Sequence, residues 1–97
     1  MMLKLVQYRV KPEKIEENQR LIEAVFRELA ARAPTDVKYA VFRLEDGTFC
    51  HLVEDRSNAL QKLEAFSAFQ YDGEARRSSP PQQADVDFVG NYRLFAD

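Results

Sequence analysis

A single histidine within an apolar, β-rich run is the residue of this sequence best suited to chemistry. His51 alternates with Phe49 and Val53, so all three are predicted to lie on one face of a strand. An imidazole titrates close to neutral pH and can act as a base on a phenol, or it can be a hydrogen-bonded core residue. Cys50 points to the opposite face, so the two residues cannot share a metal ion. We therefore predict His51 as the catalytic residue and no metal site, with a structural histidine as the alternative.

Three polar residues are candidates for binding a substrate beside His51. Tyr8 and Tyr39 each alternate with valines along a strand, and a buried phenol needs a hydrogen-bond partner for its hydroxyl. Asn18 falls on the inward stripe of the first helix, where a polar side chain requires a partner from protein or ligand. Each has a plainer interpretation, with the tyrosines packing at a sheet edge or dimer rim and Asn18 facing the helix edge.

The arginines and the absence of several catalytic and ligand-binding motifs limit the functions that this sequence supports. Arg9 and Arg93 are predicted to form ion pairs at a dimer interface, whereas Arg76 and Arg77 fall in a frayed segment and are predicted to be solvated. The sequence has no Gly-rich phosphate loop, no Gly-x-Ser-x-Gly elbow, no Cys-x-x-Cys pair and no His-rich helix. Nucleotide-binding, zinc-hydrolase and serine-hydrolase functions therefore have no support.

Length and composition predict one globular domain over residues 1–97, since 45% of the residues are apolar and 31% are charged. The formal net charge of −2 gives no field that would hold nucleic acid or an anionic membrane. One cysteine excludes an internal disulfide and is typical of a reducing compartment. The first residues lack the layout of a signal peptide, and no apolar run approaches a membrane span. We expect a cytoplasmic protein.

The first half of the chain reads as a strand, a helix and a hairpin. Residues 3–10 alternate as a strand, and Pro12 favours a helix start, with apolar residues at helical spacing up to Ala33 and Pro34 ending the helix. Residues 37–44 and 49–53 are β-rich, and Asp46-Gly47 between them predicts a type I′ hairpin turn.

The second half reads as another helix and a last strand. Ser57 or Asn58 is predicted to cap a helix over residues 59–71, and residues 78–81 form a loop. The apolar residues of 86–95 predict the last strand, with Gly90 as a bulge. The order β-α-β-β-α-β is the ferredoxin-like α+β arrangement with an antiparallel sheet. Because several strands are apolar on both sides, we expect a homodimer that pairs the helix-free sheet faces.

Residues across the chain resemble the antibiotic-biosynthesis-monooxygenase-like superfamily, in particular an uncharacterised bacterial subgroup. The segments that carry the resemblance are 5–13 with the helix after it, 39–44, 45–54, 65–70, 80–81 and 89–93. The resemblance implies a dimeric α/β barrel, in which two sheets pack face to face and a pocket lies between each sheet and its helices. Haem-degrading relatives rely on an Asn, a Trp and a His, and this chain has no Trp, so we expect no cofactor.

Two functional hypotheses follow. The resemblance implies a cofactor-free monooxygenase acting on an aromatic or quinone-like small molecule, with His51 as base and Tyr8, Tyr39 and Asn18 holding the substrate. The alternative is a non-catalytic homodimeric module that binds a small molecule or is purely structural. An open cavity beside His51 rimmed by tyrosine hydroxyls favours the first, whereas a space filled with phenylalanine favours the second.

Overall fold

The computed structural model describes residues 3–94, which form a four-stranded antiparallel sheet with helices on one side. The strand order is β2-β3-β1-β4, which is the ferredoxin-like α+β arrangement, and the predicted fold class is confirmed. The strands are β1 (Leu3–Arg9), β2 (Val37–Arg43), β3 (Thr48–Asp55) and β4 (Gln82–Val86). The helices are α1 (Ile15–Arg32), α2 (Glu64–Gln70) and α3 (Gly73–Arg76), with 3₁₀ turns at Pro12–Lys14 and Leu60–Lys62.

The long helix α1 follows the predicted pattern. Pro12 opens the 3₁₀ turn that leads into it, and Ala33 ends it in a left-handed conformation at φ 47°. Asn18, Ile22 and Val25 are its buried residues and form one stripe at helical spacing. No helix within residues 3–94 is both long enough and apolar enough to cross a membrane.

The β2–β3 hairpin is present, but its predicted turn type is wrong. The Gly47 N–H donates to the Leu44 carbonyl, and among residues 44–47 only Gly47 has a positive φ, at 86°. This is a type I turn followed by a left-handed glycine, not a type I′ turn. Asp46 stabilises it by accepting a hydrogen bond from the Thr48 N–H at 3.0 Å. Gly47 also lies against α1, since a Cβ there would be 3.1 Å from Ile15 Cδ1.

The second helical region is broken into short pieces where the sequence predicts one helix. Leu63 is extended (φ −84°, ψ 133°) and separates the 3₁₀ turn from α2, and Tyr71 is extended after α2. The cap is neither Ser57 nor Asn58. Asp55 accepts hydrogen bonds from the backbone N–H groups of Ala59 and Leu60, at 2.9 and 3.0 Å.

The last strand lies earlier in the chain than predicted. β4 is mostly polar and lies at the sheet edge, and four of its five residues are exposed, so its sequence lacks the apolar alternation that a buried face imposes. Among the residues predicted for this strand, Val89, Tyr92 and Leu94 are largely exposed. Gly90 lies outside the sheet and is no bulge, and Phe95 lies outside the described residues.

The register of β3 decides which side chains meet beneath the helices. His51 pairs with Val6 on β1 and with Val41 on β2, so β3 lies between those two strands. Tyr8 is two residues from Val6 and Tyr39 two residues from Val41. Both tyrosines are therefore diagonal neighbours of His51 on the same face of the sheet.

Candidate functional site

The four predicted site residues come from four different elements and meet under α1. His51 is on β3, Tyr8 on β1, Tyr39 on β2 and Asn18 on α1. Asn18, His51 and Tyr8 are almost fully buried, at 1%, 5% and 7% exposure, whereas Tyr39 is half-buried. The sheet supplies three members of the cluster and the inward stripe of α1 supplies the fourth.

These side chains form an unbranched chain of hydrogen bonds. The two tyrosine hydroxyls lie on opposite sides of the imidazole, with Tyr8 Oη 2.8 Å from His51 Nε2 and Tyr39 Oη 2.7 Å from His51 Nδ1. Asn18 Nδ2 lies 3.2 Å from Tyr8 Oη and donates to it. Both ring nitrogens of His51 are therefore occupied by tyrosines.

The chain continues to Arg76, a residue that the sequence analysis missed. Arg76 is only 3% exposed, so the prediction of a solvated side chain is wrong. Its Nε donates to Asn18 Oδ1 at 3.0 Å, and its terminal nitrogens donate to the backbone carbonyls of Tyr71 and Phe69. The inward-facing Asn18 indicated a buried partner, but nothing in the sequence distinguishes Arg76 from a surface arginine.

The backbone around Arg76 is attached to the end of β1. The Lys11 N–H donates to the Arg76 carbonyl at 2.9 Å, and the Ser78 N–H donates to the Arg9 carbonyl at 2.8 Å. Arg77 forms a β-bridge with Val10 between these two bonds. The short helix α3 is thereby held so that Arg76 points back toward Asn18.

The guanidinium of Arg76 sets the direction of every hydrogen bond in the network. Arginine only donates, so Asn18 must present its oxygen to Arg76 and its NH₂ to Tyr8. Tyr8 then gives its own hydrogen to His51 Nε2, the other hydrogen-bond partner of its hydroxyl within residues 3–94. We assign His51 the neutral Nδ1–H tautomer on this basis, and Nδ1–H donates to Tyr39 Oη. The hydroxyl hydrogen of Tyr39 is left for an acceptor outside the network.

Burial keeps the network neutral apart from Arg76. Removal from water lowers the pKa of His51 to about 4, since the charged imidazolium is disfavoured in the interior. Burial raises the pKa of Tyr8, and it raises the pKa of Tyr39 still further. At pH 7 His51 is therefore an uncharged imidazole and both tyrosines keep their protons.

A cavity of about 350 Å³ opens beside this network. Its walls combine aromatic and aliphatic side chains with the polar members of the network, and the Phe69 ring centre lies 5.5 Å from that of His51. The volume suits a small organic molecule. The lining residues are Val6, Tyr8, Asn18, Tyr39, His51, Val53, Leu60, Phe66, Phe69, Gln70, Gly73, Arg76, Arg77, Pro81 and Gln83.

Cys50 and Arg9 lie away from this cavity. Cys50 is on the opposite face, where its Sγ lies 3.8 Å from Gln7 Oε1. Arg9 pairs with Asp46 of its own chain at 2.7 Å, and its pairing across a dimer interface stays a prediction. Within residues 3–94, no group of three or more His, Cys, Asp or Glu side chains could hold a metal ion.

The fold is shared with several solved structures. A crystal structure described as an antibiotic biosynthesis monooxygenase superposes with a TM-score of 0.69 at 20% identity, over 93% of this chain and 100% of that one. A Mycobacterium tuberculosis protein gives 0.70 at 12% identity, over 93% and 96% of the two chains. A conserved protein from Methanosarcina mazei gives 0.67 at 17% identity, over 89% and 91%.

These likenesses confirm the predicted resemblance at the level of the fold. The chain has the fold seen in antibiotic-biosynthesis-monooxygenase-like structures, and at these identities the likeness concerns the fold alone. No protein-family model matches the sequence, and a search of curated proteins found no match. Activity therefore has to be argued from the cavity and the residues around it.

Proposed function

We propose that this protein is a cofactor-free oxygenase that binds a hydroxylated aromatic or quinone-like molecule in the cavity beside His51. The observation that carries the proposal is the hydrogen-bond chain ending at Tyr39, whose hydroxyl hydrogen is available at the edge of an aromatic-lined cavity. A flat aromatic ligand fits the apolar walls, and its oxygen atom is the acceptor that the Tyr39 hydroxyl lacks among residues 3–94.

The arrangement favours stabilising an anionic oxygen of the ligand. Tyr39 donates a hydrogen bond toward that oxygen, and the positive charge of Arg76 at the far end polarises the bonds between them. A bound phenol or enol would ionise more readily in such a site, since its charged form is stabilised. The resulting electron-rich phenolate or enolate is the species that reacts with dioxygen.

The chemistry balances without an added electron donor. When an activated CH₂ group of such a substrate becomes a carbonyl, the carbon loses two hydrogens and gains one oxygen atom. The second oxygen atom leaves as water with those hydrogens, and the substrate supplies all four electrons that dioxygen accepts. The protein then has to bind, orient and ionise the substrate.

His51 acts in this proposal as a positioning residue. Direct proton abstraction would require a tyrosine to leave the imidazole, because both ring nitrogens are occupied. A pKa of about 4 also makes His51 a weak proton acceptor. Its two hydrogen bonds instead hold Tyr39 in place and set the direction of its hydroxyl. Catalysis by His51 itself stays a prediction from the sequence.

The second candidate function is a binding protein without catalysis. It is favoured by the same observation, that the imidazole of His51 is neutral and has both nitrogens occupied.

One experiment separates the two functions. Hydroxylated aromatics and quinols are screened by thermal shift, and oxygen uptake is then measured with each compound that binds. We expect oxygen consumption, lowered about a hundredfold in Tyr39→Phe, the scale of losing one donor to a reacting oxyanion. Binding without oxygen uptake would establish the binding protein, and no binding at all would exclude both functions for this cavity.

We also propose a homodimer formed through the helix-free sheet face. Phe42 alternates with the helix-facing Val41 and is 46% exposed there, and Leu5 and Leu52 on the same face are only half-buried. A second copy of the chain would cover these side chains by two-fold symmetry. Light scattering at micromolar concentration should give twice the chain mass, and Phe42→Glu should lower it. A monomer mass for the unchanged protein would refute the dimer.

A further inference from the structure

We infer that the ligand of this cavity is an aromatic acid, whose carboxylate pairs with Arg77 beside the buried charge of Arg76 while its ring oxygen meets Tyr39. The inference rests on the proposed function only in taking this cavity as the binding site. It adds an anionic group, which the network around His51 does not itself require.

Arg76 is a buried cation that has no neutralising partner among residues 3–94. Its hydrogen bonds within residues 3–94 go to the amide oxygen of Asn18 and to two backbone carbonyls, all of them uncharged. No carboxylate within the described part of the chain comes within 4.0 Å of its guanidinium. Buried charges in proteins are normally paired, because removing an ion from water is costly. A ligand carboxylate would reduce that cost.

Arg77 is the cation that a ligand can reach. It lines the same cavity, is half-buried, and places its guanidinium carbon 6.0 Å from the centre of the Tyr8 ring. It too forms no ion pair with any acid of residues 3–94. The planar fork of an arginine matches the two oxygens of a carboxylate.

Gly73 makes room for the Arg77 side chain. A Cβ at Gly73 would lie 2.7 Å from Arg77 Nη1, closer than non-bonded atoms approach. The guanidinium therefore lies directly against the backbone of α3 and stays at the cavity wall. An alanine at this position would displace only the far end of a flexible side chain.

The charges around the cavity all have one sign. Among the described residues its lining contains Arg76 and Arg77 and neither aspartate nor glutamate, and burial keeps His51 uncharged. The remaining lining is uncharged and combines apolar side chains, among them Val53, Phe66 and Phe69, with polar ones. A site with two arginines that form no ion pair within residues 3–94, in partly apolar surroundings, attracts a rigid apolar molecule with a negative substituent, and it disfavours a neutral analogue of the same shape.

The test compares 2,5-dihydroxybenzoate with its methyl ester, which keeps the ring and both hydroxyls but removes the charge. Binding is measured by isothermal titration calorimetry to the unchanged protein and to Arg77→Met. We expect the acid to bind at least tenfold more tightly than the ester to the unchanged protein. Arg77→Met should remove that preference and leave the affinity for the ester unchanged.

Two further variants make the test specific. Arg20→Met removes the same charge from an exposed position of α1 and should leave the preference for the acid intact. Gly73→Ala keeps both arginines but shifts the Arg77 guanidinium. It should therefore weaken binding of the acid several-fold and leave binding of the ester unaffected. Loss of the preference in Arg20→Met would mean that net charge, not Arg77, causes it, and would overturn the inference.

The outcomes separate this inference from the proposed function. Equal binding of acid and ester to the unchanged protein would overturn the inference of an anionic ligand. The cavity would then be a site for neutral aromatic molecules. Tighter binding of the acid that persists in Arg77→Met would also overturn it, since the carboxylate would then lie elsewhere. Failure of both compounds to bind would count against the cavity itself and so against the proposed function.

Discussion

Phe49 and His51 are two residues apart on β3, face the same side of the sheet and are both almost fully buried, at 1% and 5% exposure. Their surroundings differ. Phe49 packs in an apolar cluster with Val10 and Ile22, whereas His51 is held by hydroxyls and borders the cavity. Tyr8 belongs to both regions, since its ring stacks on Phe49 at 6.0 Å between centroids and its hydroxyl meets His51.

The difference shows how one sheet face serves both stability and binding. The Phe49 end removes apolar surface from water and needs no specific partner. The His51 end gains little from burial, since each polar group must find a hydrogen bond to offset its lost hydration. Its network is satisfied up to the last hydroxyl, and that hydroxyl belongs to Tyr39 at the cavity. We expect substitutions at the two ends to separate stability from binding.

The largest effect is expected for Phe49→Ala. Truncating a fully buried phenylalanine removes apolar contacts and leaves a void, which costs about 3–5 kcal/mol of the free energy of unfolding. The matched control is Phe66→Ala, since Phe66 is half-buried and already borders empty space. Urea unfolding of both variants measures the difference. A loss in Phe49→Ala no greater than in Phe66→Ala would contradict the division into a packed end and an open end.

The next effect concerns the dependence of stability on pH. The pKa of His51 is about 4 in the folded protein against an ordinary value of 6.5, so between these values the unfolded chain binds the extra proton. The stability that neutral His51 contributes is complete above pH 6.5 and is lost as the pH falls toward 4. The full loss is about 3 kcal/mol on the scale of 1.36 kcal/mol per pKa unit.

Urea unfolding at several pH values checks this window. His51→Gln has no group that titrates there, so its free energy of unfolding should change less between pH 6.5 and 4. The lowered carboxyl pKa values of Glu28 and Asp46 are a separate effect: the stability they contribute is lost as the pH falls below their ordinary values of 4.5 and 3.8, and it is lost equally in both proteins. If the free energy of unfolding changed equally with pH in the two proteins, the pKa of His51 in the folded protein would be close to its ordinary value, which would contradict this prediction.

A smaller effect distinguishes the two tyrosines. Tyr8→Phe leaves the Asn18 NH₂ and His51 Nε2 buried without their partner, which should cost about 1–3 kcal/mol of the free energy of unfolding. Tyr39→Phe frees only His51 Nδ1, at the cavity where water can replace the hydroxyl, so the cost should be below about 1 kcal/mol. Thermal unfolding of both variants measures this. A greater loss of stability in Tyr39→Phe than in Tyr8→Phe would contradict this prediction, since the hydrogen bond at the cavity would then contribute more to stability than those of Tyr8.

Much of the framework follows from local sequence signals. Helix α1 could be predicted because its apolar stripe, Pro12 and Pro34 all act within a few residues. The hairpin could be predicted from Asp46-Gly47, but not its turn type, which depends on the Asp46 carboxylate and the contact of Gly47 with α1. The edge strand β4 could not be predicted, because four of its five residues are exposed and so carry no apolar alternation.

The candidate site shows the same limit. Asn18 and the two tyrosines could be chosen because a polar group on an inward face needs a partner. Their arrangement around His51 depends on the strand register, which brings together residues that are far apart in the chain. Arg76 could not be found from the sequence. Its burial arises where the backbone of α3 joins the end of β1, and no local pattern records that contact.

The central claim is that the network holds His51 as a neutral Nδ1–H imidazole that turns the Tyr39 hydroxyl toward the cavity. The chain has one histidine, so selective ¹⁵N-histidine labelling gives a nitrogen NMR spectrum of His51 alone. We expect a protonated Nδ1 and an unprotonated Nε2, with no titration between pH 8 and about 5 since the pKa is about 4. A proton on Nε2, or a midpoint near the ordinary value of 6.5, would contradict the account.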